Sequence, residues 1–375
     1  MNPDALRDGS VGGGAEARFS AVFRVLQEAV AAGAFPGCAF GVLTRKGVVL
    51  QDALGRFTGE ADAPAVLPGT IFDLASVSKV VATTAAAMLL VQAGRLDIEA
   101  RLIDVLPDFA AHRPPGDPAR EIRLRHLLAH SSGLPGYVEF FRTATSAQAL
   151  LRQCLSLAIE TPPDTRAEYS DTGFILLGKA LEACAAEPLD LWTRKNIFAP
   201  LGMDSTCFNP PLELRGAIPP TEEDRSFRRR RIQGEVQDEN AWVLGGVAGH
   251  AGVFSNVPDL LRFSAAILAA GSAEPASPAG LFRSGTLALF AHRQPPEGSS
   301  RALGWDTPSQ DSSAGSRFSS RSIGHLGYSG CSLWIDLQAG VAAVLLTNRT
   351  WPDRGSQLIR QLRPQFHNAV REVLG

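Results

Sequence analysis

The sequence predicts a mixed α/β (α+β) fold. An antiparallel sheet is flanked by N- and C-terminal helices, and a mostly helical subdomain is inserted between its strands. Three observations lead there. Strand-like runs occur near both ends of the 375-residue chain. The long middle reads as helix and loop. Amphipathic helical patterns bracket the two strand regions. No repeat period is visible. The implied organisation is a sheet domain from residues 15–72 and 245–375, a helical subdomain from 73–244, and a cleft between them.

Residues 1–14 predict a disordered lead-in. Residues 15–32 then carry helical periodicity (Phe19, Val22, Phe23, Leu26, Ala29, Val30) and stop at Gly33. "GCAFGVLTRKGVVLQDALG" predicts two strands joined by a turn at Arg45–Gly47. A helix follows from Ser76 to about Ala93, with Gly94 just past its end. From there to about residue 244, prolines punctuate helix and loop, and helical patterns recur at "SAQALLRQCLSLAI" and "DTGFILLGKALEACA". Residues 293–322, rich in Ser, Pro, Gly and Arg, predict a long loop. "CSLWIDL" and "VAAVLLTN" form a hairpin about Ala339–Gly340, and a last amphipathic helix covers about 355–373.

A 45% hydrophobic, 20% charged chain with a formal net charge of −2 has ample core and no basic excess. A nucleic-acid partner is therefore not expected, and the short run Arg228–Arg231 reads as a solvated or substrate-facing loop. No stretch looks long enough to span a bilayer, since "VVATTAAAMLLVQAG" stops short, so no membrane partner is expected. The five cysteines lack C-x-x-C spacing and their number is odd, which suits a reducing compartment. No apolar leader precedes the first helix, and a cytoplasmic location is expected.

Lysine is scarce: Lys46, Lys79, Lys179 and Lys195 are the only four. Lys79 stands three residues after Ser76, at the start of the apolar run "VVATTAAAMLL". Positions i and i+3 share a helix face, so amine and hydroxyl can meet. Burial at an apolar helix start disfavours the ammonium, and a neutral amine can activate a serine. Ser76 in the first turn would also aim its own N–H at a developing oxyanion. A lone S-x-x-K is weak, but "AEYSDTG" adds Tyr169 and Asp171 at Y-x-D spacing, and "IGHLGYSG" adds His325, Leu326 and Gly327 as an H-x-G triplet.

S-x-x-K, a Y-x-N-like triplet and K/H-x-G, in that order, resemble the serine β-lactamase and penicillin-binding-protein superfamily. The resemblance is nearest to the branch holding class C β-lactamases, DD-peptidases and β-lactamase-like esterases. It spans about residues 17–372 and includes "IRLRHLLAHSSGLPGY" and the segment from "LFRSGTLALFAHRQ" to "LGWD", which places Trp305 on the substrate side. It implies a β-lactamase/transpeptidase-like fold and no cofactor. It further implies Ser76 as acylated nucleophile, Lys79 as its proton partner, Tyr169 as the relay to the leaving group, and the N–H groups of Ser76 and Tyr328 as oxyanion hole.

Two departures bear on substrate. His325 and Leu326 offer neither a fixed cation nor a hydroxyl for a substrate carboxylate, a lack that Arg349 could offset if it points inward. Asp171 stands where the family usually has asparagine. It adds negative charge beside Lys79, which favours the ammonium and leans towards Tyr169 as base. The block "PPTEEDRSFRRRRIQGEVQDENAWVLGGVAGHAGVFS" is similar to one in cell-wall-turnover members, among them an exo-acting N-acetylmuramoyl-L-alanine amidase. Within it Asp238, Glu239, Asn240 and His250 are candidates for reading a sugar or peptide, although Gln237 stands where relatives often have histidine. No metal-ligand spacing is present.

An α/β-hydrolase is disfavoured because no G-x-S-x-G occurs. Within the enzyme class the sequence leaves carboxylesterase, D-peptidase and muropeptide amidase open, with slow β-lactam turnover. The rival from another class is a catalytically silent receptor for a peptide or muropeptide.

Overall fold

The computed structural model describes residues 14–111, 113–272 and 280–375. The expected disordered lead-in at 1–14 lies outside the described residues, apart from Gly14.

A five-stranded antiparallel sheet forms in the order 47–55, 37–44, 341–347, 332–336, 322–326. The two ends of the chain meet at its centre, where Cys38 pairs with Thr347 and Thr44 with Val341. Side chains alternate across each strand. Phe40, Val42, Ala343, Leu345 and Trp334 face the terminal helices Ser20–Ala31 and Ile359–Leu374. Ala39, Leu43, Ala342, Val344 and Leu346 face the larger core. On that side helix Val257–Ala270 presses on the sheet so closely that a Cβ at Gly41 would lie 2.5 Å from Val257 Cγ1.

Most predicted helices form, each with a local reason. Asp171–Ala185 begins at Ser170, whose hydroxyl accepts the Gly173 N–H, and Ala147–Leu155 begins at Ser146, which caps Ala149. The central helix ends in a Schellman motif: Arg95 N–H bonds Leu90 O, Gly94 N–H bonds Val91 O, and Gly94 has φ +66°. Ala75–Gln92 has mean hydropathy 1.4 over 18 residues. By length and composition it could cross a bilayer, which corrects the expectation that no segment could. It is 78% buried inside the protein as the core helix.

That helix is not regular. It opens as a 3₁₀ turn at Ala75–Val77, widens to π winding at Lys79–Thr84 and becomes α only at Ala85–Gln92. The middle of the chain also holds strands the sequence did not signal. Cys207–Phe208 and Phe72–Asp73 pair on either side of Val253–Ser255, and Glu222–Asp224 pairs with Arg230–Ile232. Runs of two or three residues are too short to show a period. The arginine run is also corrected in part. Arg228 is buried beside Asp224 and donates to the carbonyls of Val236 and Gln237.

Candidate active site

Ser76 sits half-exposed on the wall of a cavity of about 920 Å³, between buried neighbours. Strand Phe72–Asp73 delivers it. One Asp73 carboxylate oxygen accepts the Ala75 N–H at 2.8 Å and the other the Gln237 N–H at 2.7 Å, while burial lifts its pKa to about 6. Ala75 is held at φ +46°, left-handed for a residue with a Cβ, at a cost of roughly 1–2 kcal/mol. Such strain collects at functional sites.

The 3₁₀ turn eclipses positions i and i+3. Lys79 Nζ therefore reaches Ser76 Oγ at 2.9 Å. It also donates to Asp171 Oδ1 at 2.6 Å and to the carbonyl of His250 at 2.9 Å, which accounts for all three ammonium protons. Lys79 is fully buried, and burial pulls its pKa below the usual lysine value against the opposing pull of Asp171. Tyr169 donates from its hydroxyl to Ser76 Oγ at 2.7 Å. Burial, reinforced by the Asp171 carboxylate, pushes its phenol well above the ordinary value, with Arg301 pulling the other way. The two shifts run in opposite directions. Burial thus disfavours the charged form of both groups, the ammonium of Lys79 and the phenolate of Tyr169.

Across the cavity mouth, strand 322–326 ends at Gly327, where a Cβ would lie 2.4 Å from Leu74 O. Only glycine lets this strand end lie against the segment carrying Ser76. Among the described residues, neither the Ser76 nor the Tyr328 N–H has a hydrogen-bond partner. His325 Nδ1 lies 2.8 Å from Leu326 O, so Nδ1 carries the proton and Nε2 presents a lone pair without a partner. Burial, aided by Lys79 and Arg301, holds the ring well below the usual histidine pKa and thus neutral.

Other expected residues divide. Leu326, Asp238, Glu239 and Arg349 line the cavity. Three do not, and the substrate-side expectation for them is corrected. Trp305 is 1% exposed and packs on Phe263, its "LGWD" segment lying so close to Thr84 that Gly304 leaves no room for a Cβ. Asn240 is spent on the Phe141 N–H and the Val138 carbonyl. The His250 ring is turned to Asp238 at 2.8 Å, and its share in the site is its backbone carbonyl on Lys79. Burial would raise the Asp238 pKa, but His250, the Ala241 N–H and Lys79 hold it at about 2. Glu239 is turned to Arg354 at 2.6 Å, so these acids and His250 do not converge as a ligand set.

Sequence reasoning missed Arg301, whose guanidinium lies 5.4 Å from the Tyr169 ring centroid, and Arg363, which donates to the Gly327 and Cys331 carbonyls. Both line the cavity. Neither lies at a fixed spacing from a motif, so only a test of every arginine after residue 300 would have reached them. Arg354 is neutralised by Glu222 and Glu239. Among the described residues Arg349, Arg360 and Arg363 line the same cavity without a carboxylate partner.

A nucleophile-bearing helix abutting an antiparallel sheet, with amine and phenol meeting on one hydroxyl, defines a serine acyl-transfer enzyme. The Beta-lactamase family matches residues 22–364, and this chain belongs to that family, whose members are serine hydrolases. A putative D-alanyl-D-alanine carboxypeptidase of Salmonella agona is 30% identical over 359 residues, 86% of this chain and 81% of the relative. The N-acetylmuramyl-L-alanine amidase of Bacillus subtilis is 29% identical over 364 residues, 88% and 80%. Among solved structures, EstCE1, described as a hydrolase with promiscuous acyltransferase activity, has TM-score 0.74 at 23% identity over 96% of this chain and 99% of its own. A penicillin-binding-protein homologue from Caulobacter crescentus has TM-score 0.74 at 18% identity over 95% and 97%.

Proposed function

We propose that this protein hydrolyses an amide or ester of a peptide or muropeptide-like substrate through an acyl-enzyme on Ser76, and that it acts weakly on β-lactams. One observation carries the reading: Lys79 Nζ and Tyr169 Oη meet on Ser76 Oγ, at 2.9 and 2.7 Å, in the wall of the large cavity. Neutral Lys79 takes the Ser76 proton as Oγ attacks the substrate carbonyl carbon, and the oxyanion is held by the Ser76 and Tyr328 N–H groups. Tyr169 gives its proton to the departing amine or alkoxide. Water then gives a proton to the Tyr169 phenolate as it attacks the ester carbon, and Lys79 returns its proton to Ser76 Oγ as the acyl–oxygen bond breaks.

The cavity is at the large end of small-molecule sites, which suits a peptide more than a short ester. The unpaired arginines favour an anionic substrate end, and the two relatives named above are a peptidase and an amidase by name. A neutral His325 with Leu326 beside it gives a β-lactam carboxylate no fixed cation at the strand end. The test is intact-protein and peptide mass spectrometry after incubation with alkyl esters, D-Ala-D-Ala peptides, MurNAc-peptides and penicillin. A mass gain on the Ser76 peptide, absent in Ser76→Ala, is expected. Undiminished turnover by Ser76→Ala would sink the reading.

A further inference from the structure

The stretch "HSSGLPG" at 130–136 has no part in the relay just described, yet it grips the segment that carries Tyr169. His130 O accepts the Glu168 N–H at 2.8 Å, and His130 Nδ1 accepts the Ser170 N–H at 3.0 Å. Further along, Pro135 O accepts the Ser170 hydroxyl at 2.9 Å, and Gly136 O accepts the Asp171 N–H at 2.8 Å. The residues on both sides of Tyr169 are thus tied to one residue, His130.

The ring of His130 lies against the ring it flanks. Its centroid is 4.7 Å from that of Tyr169, and it stacks on Phe174 at 4.9 Å. A backbone N–H can only donate, so Nδ1 must hold the lone pair and Nε2 the proton. Nε2 has no partner among the described residues, so the ring's one polar bond goes to the Tyr169 segment. His130 is also held at φ +56°, a left-handed backbone that a branched or bulky residue avoids. A left-handed backbone beneath a buried ring whose one polar bond goes to the segment beside a reacting group is the pattern of a positioning device.

We infer that His130 is the positioning residue for Tyr169: its Nδ1 lone pair and its ring fix the phenol over Ser76 Oγ, and without them proton delivery to the leaving group fails while the nucleophile survives. The inference rests on the reading of Tyr169 as proton donor. A loss of about 1 Å in placement can cost on the order of 100-fold in rate.

The experiment separates acceptor from ring. His130→Asn keeps an acceptor near the Nδ1 position and tolerates positive φ, whereas His130→Phe keeps a ring and offers the Ser170 N–H nothing. Each is compared with wild type and Tyr169→Phe in three assays. These are thermal denaturation, kcat and KM on an alkyl butyrate or D-Ala-D-Ala peptide that the wild type cleaves, and Ser76 labelling by a fluorophosphonate. Fluoride leaves the fluorophosphonate without needing a proton.

We expect His130→Phe to lose about 100-fold in kcat at unchanged KM, to label within about threefold of wild type, and His130→Asn to recover at least about tenfold. Wild-type kcat in His130→Phe, or labelling lost in proportion to turnover, would overturn the inference, as would Asn faring no better than Phe. Should one variant not fold, the other against wild type still decides it. His130→Asn must stay within about tenfold of wild type, and His130→Phe must show turnover falling without labelling. If Tyr169→Phe leaves kcat intact, it is the role of the phenol that fails.

Discussion

Lys79 Nζ stands 2.6 Å from Asp171 Oδ1, with the amine fully buried and the carboxylate 18% exposed at the cavity wall. That contact opposes burial at the residue proposed as base. Burial drives Lys79 towards the amine, and Asp171 drives it back. A neutral amide in place of the carboxylate would release the opposing pull. In Asp171→Asn the acid limb of the kcat/KM–pH profile is expected to move to lower pH, because the neutral amine then persists at lower pH. A limb that stays, or moves up, would show that the limb belongs to another group.

Gly327 tests the oxyanion hole. Its Cβ would meet a main-chain carbonyl, that of Leu74, which cannot rotate aside as a side chain could. Gly327→Ala should push the Tyr328 amide off target and lower kcat by on the order of 10²–10³, with KM much less affected. Steady-state kinetics on one ester decides it, and a pure KM effect would count against the assigned hole.

The absent cation at the strand end can be restored. His325→Lys with Leu326→Thr should raise the rate of penicillin acylation by about tenfold, or about 1.4 kcal/mol, over wild type. Stopped acylation mixtures read by mass would show it. Equal rates would mean that the carboxylate is already held elsewhere, with Arg349 the first suspect.

Acid stability should follow the buried histidines. His367 is fully buried, with Nε2 at 3.1 Å from Ser332 Oγ, and burial drops its pKa to about 3. An unfolded histidine titrates near 6.5. Between those values only the unfolded chain takes up the proton, so stability is full above about pH 6.5 and falls as the pH drops towards 3. The full loss is on the order of 5 kcal/mol for this one group. Urea midpoints between pH 7 and 4 should therefore fall less steeply in His367→Gln, and an unchanged slope would rule the group out.

The trio proposed as catalytic was legible because each member stands in a short local pattern. Ser76 and Lys79 share a turn, and Tyr169 lies just ahead of Asp171, the first residue of a helix capped by Ser170. The sheet was legible through short apolar runs bounded by turn residues, such as Val341 to Leu346 after the turn at Ala339–Gly340. What could not be read depended on chain approach rather than pattern. Trp305 entered through the resemblance of its "LGWD" segment, which carries no mark of the Phe263 ring packed against it. The π winding from Lys79 to Thr84 has no sequence signature, since the same apolar residues suit an α-helix. His130 and Arg301 act on a tyrosine 39 residues downstream and 132 upstream (169 − 130 and 301 − 169), distances at which no periodicity speaks.

The strand end at Gly327 rests on the Leu74 carbonyl with no side chain between them. The Tyr328 amide, proposed to share in holding the oxyanion, follows directly on this join, so its place is set by main chain against main chain rather than by an exchangeable side chain. Diversity among relatives sharing this join should accumulate in the rim around the cleft. Selection for new acyl donors would reshape what enters while leaving the charge-stabilising gap at one width.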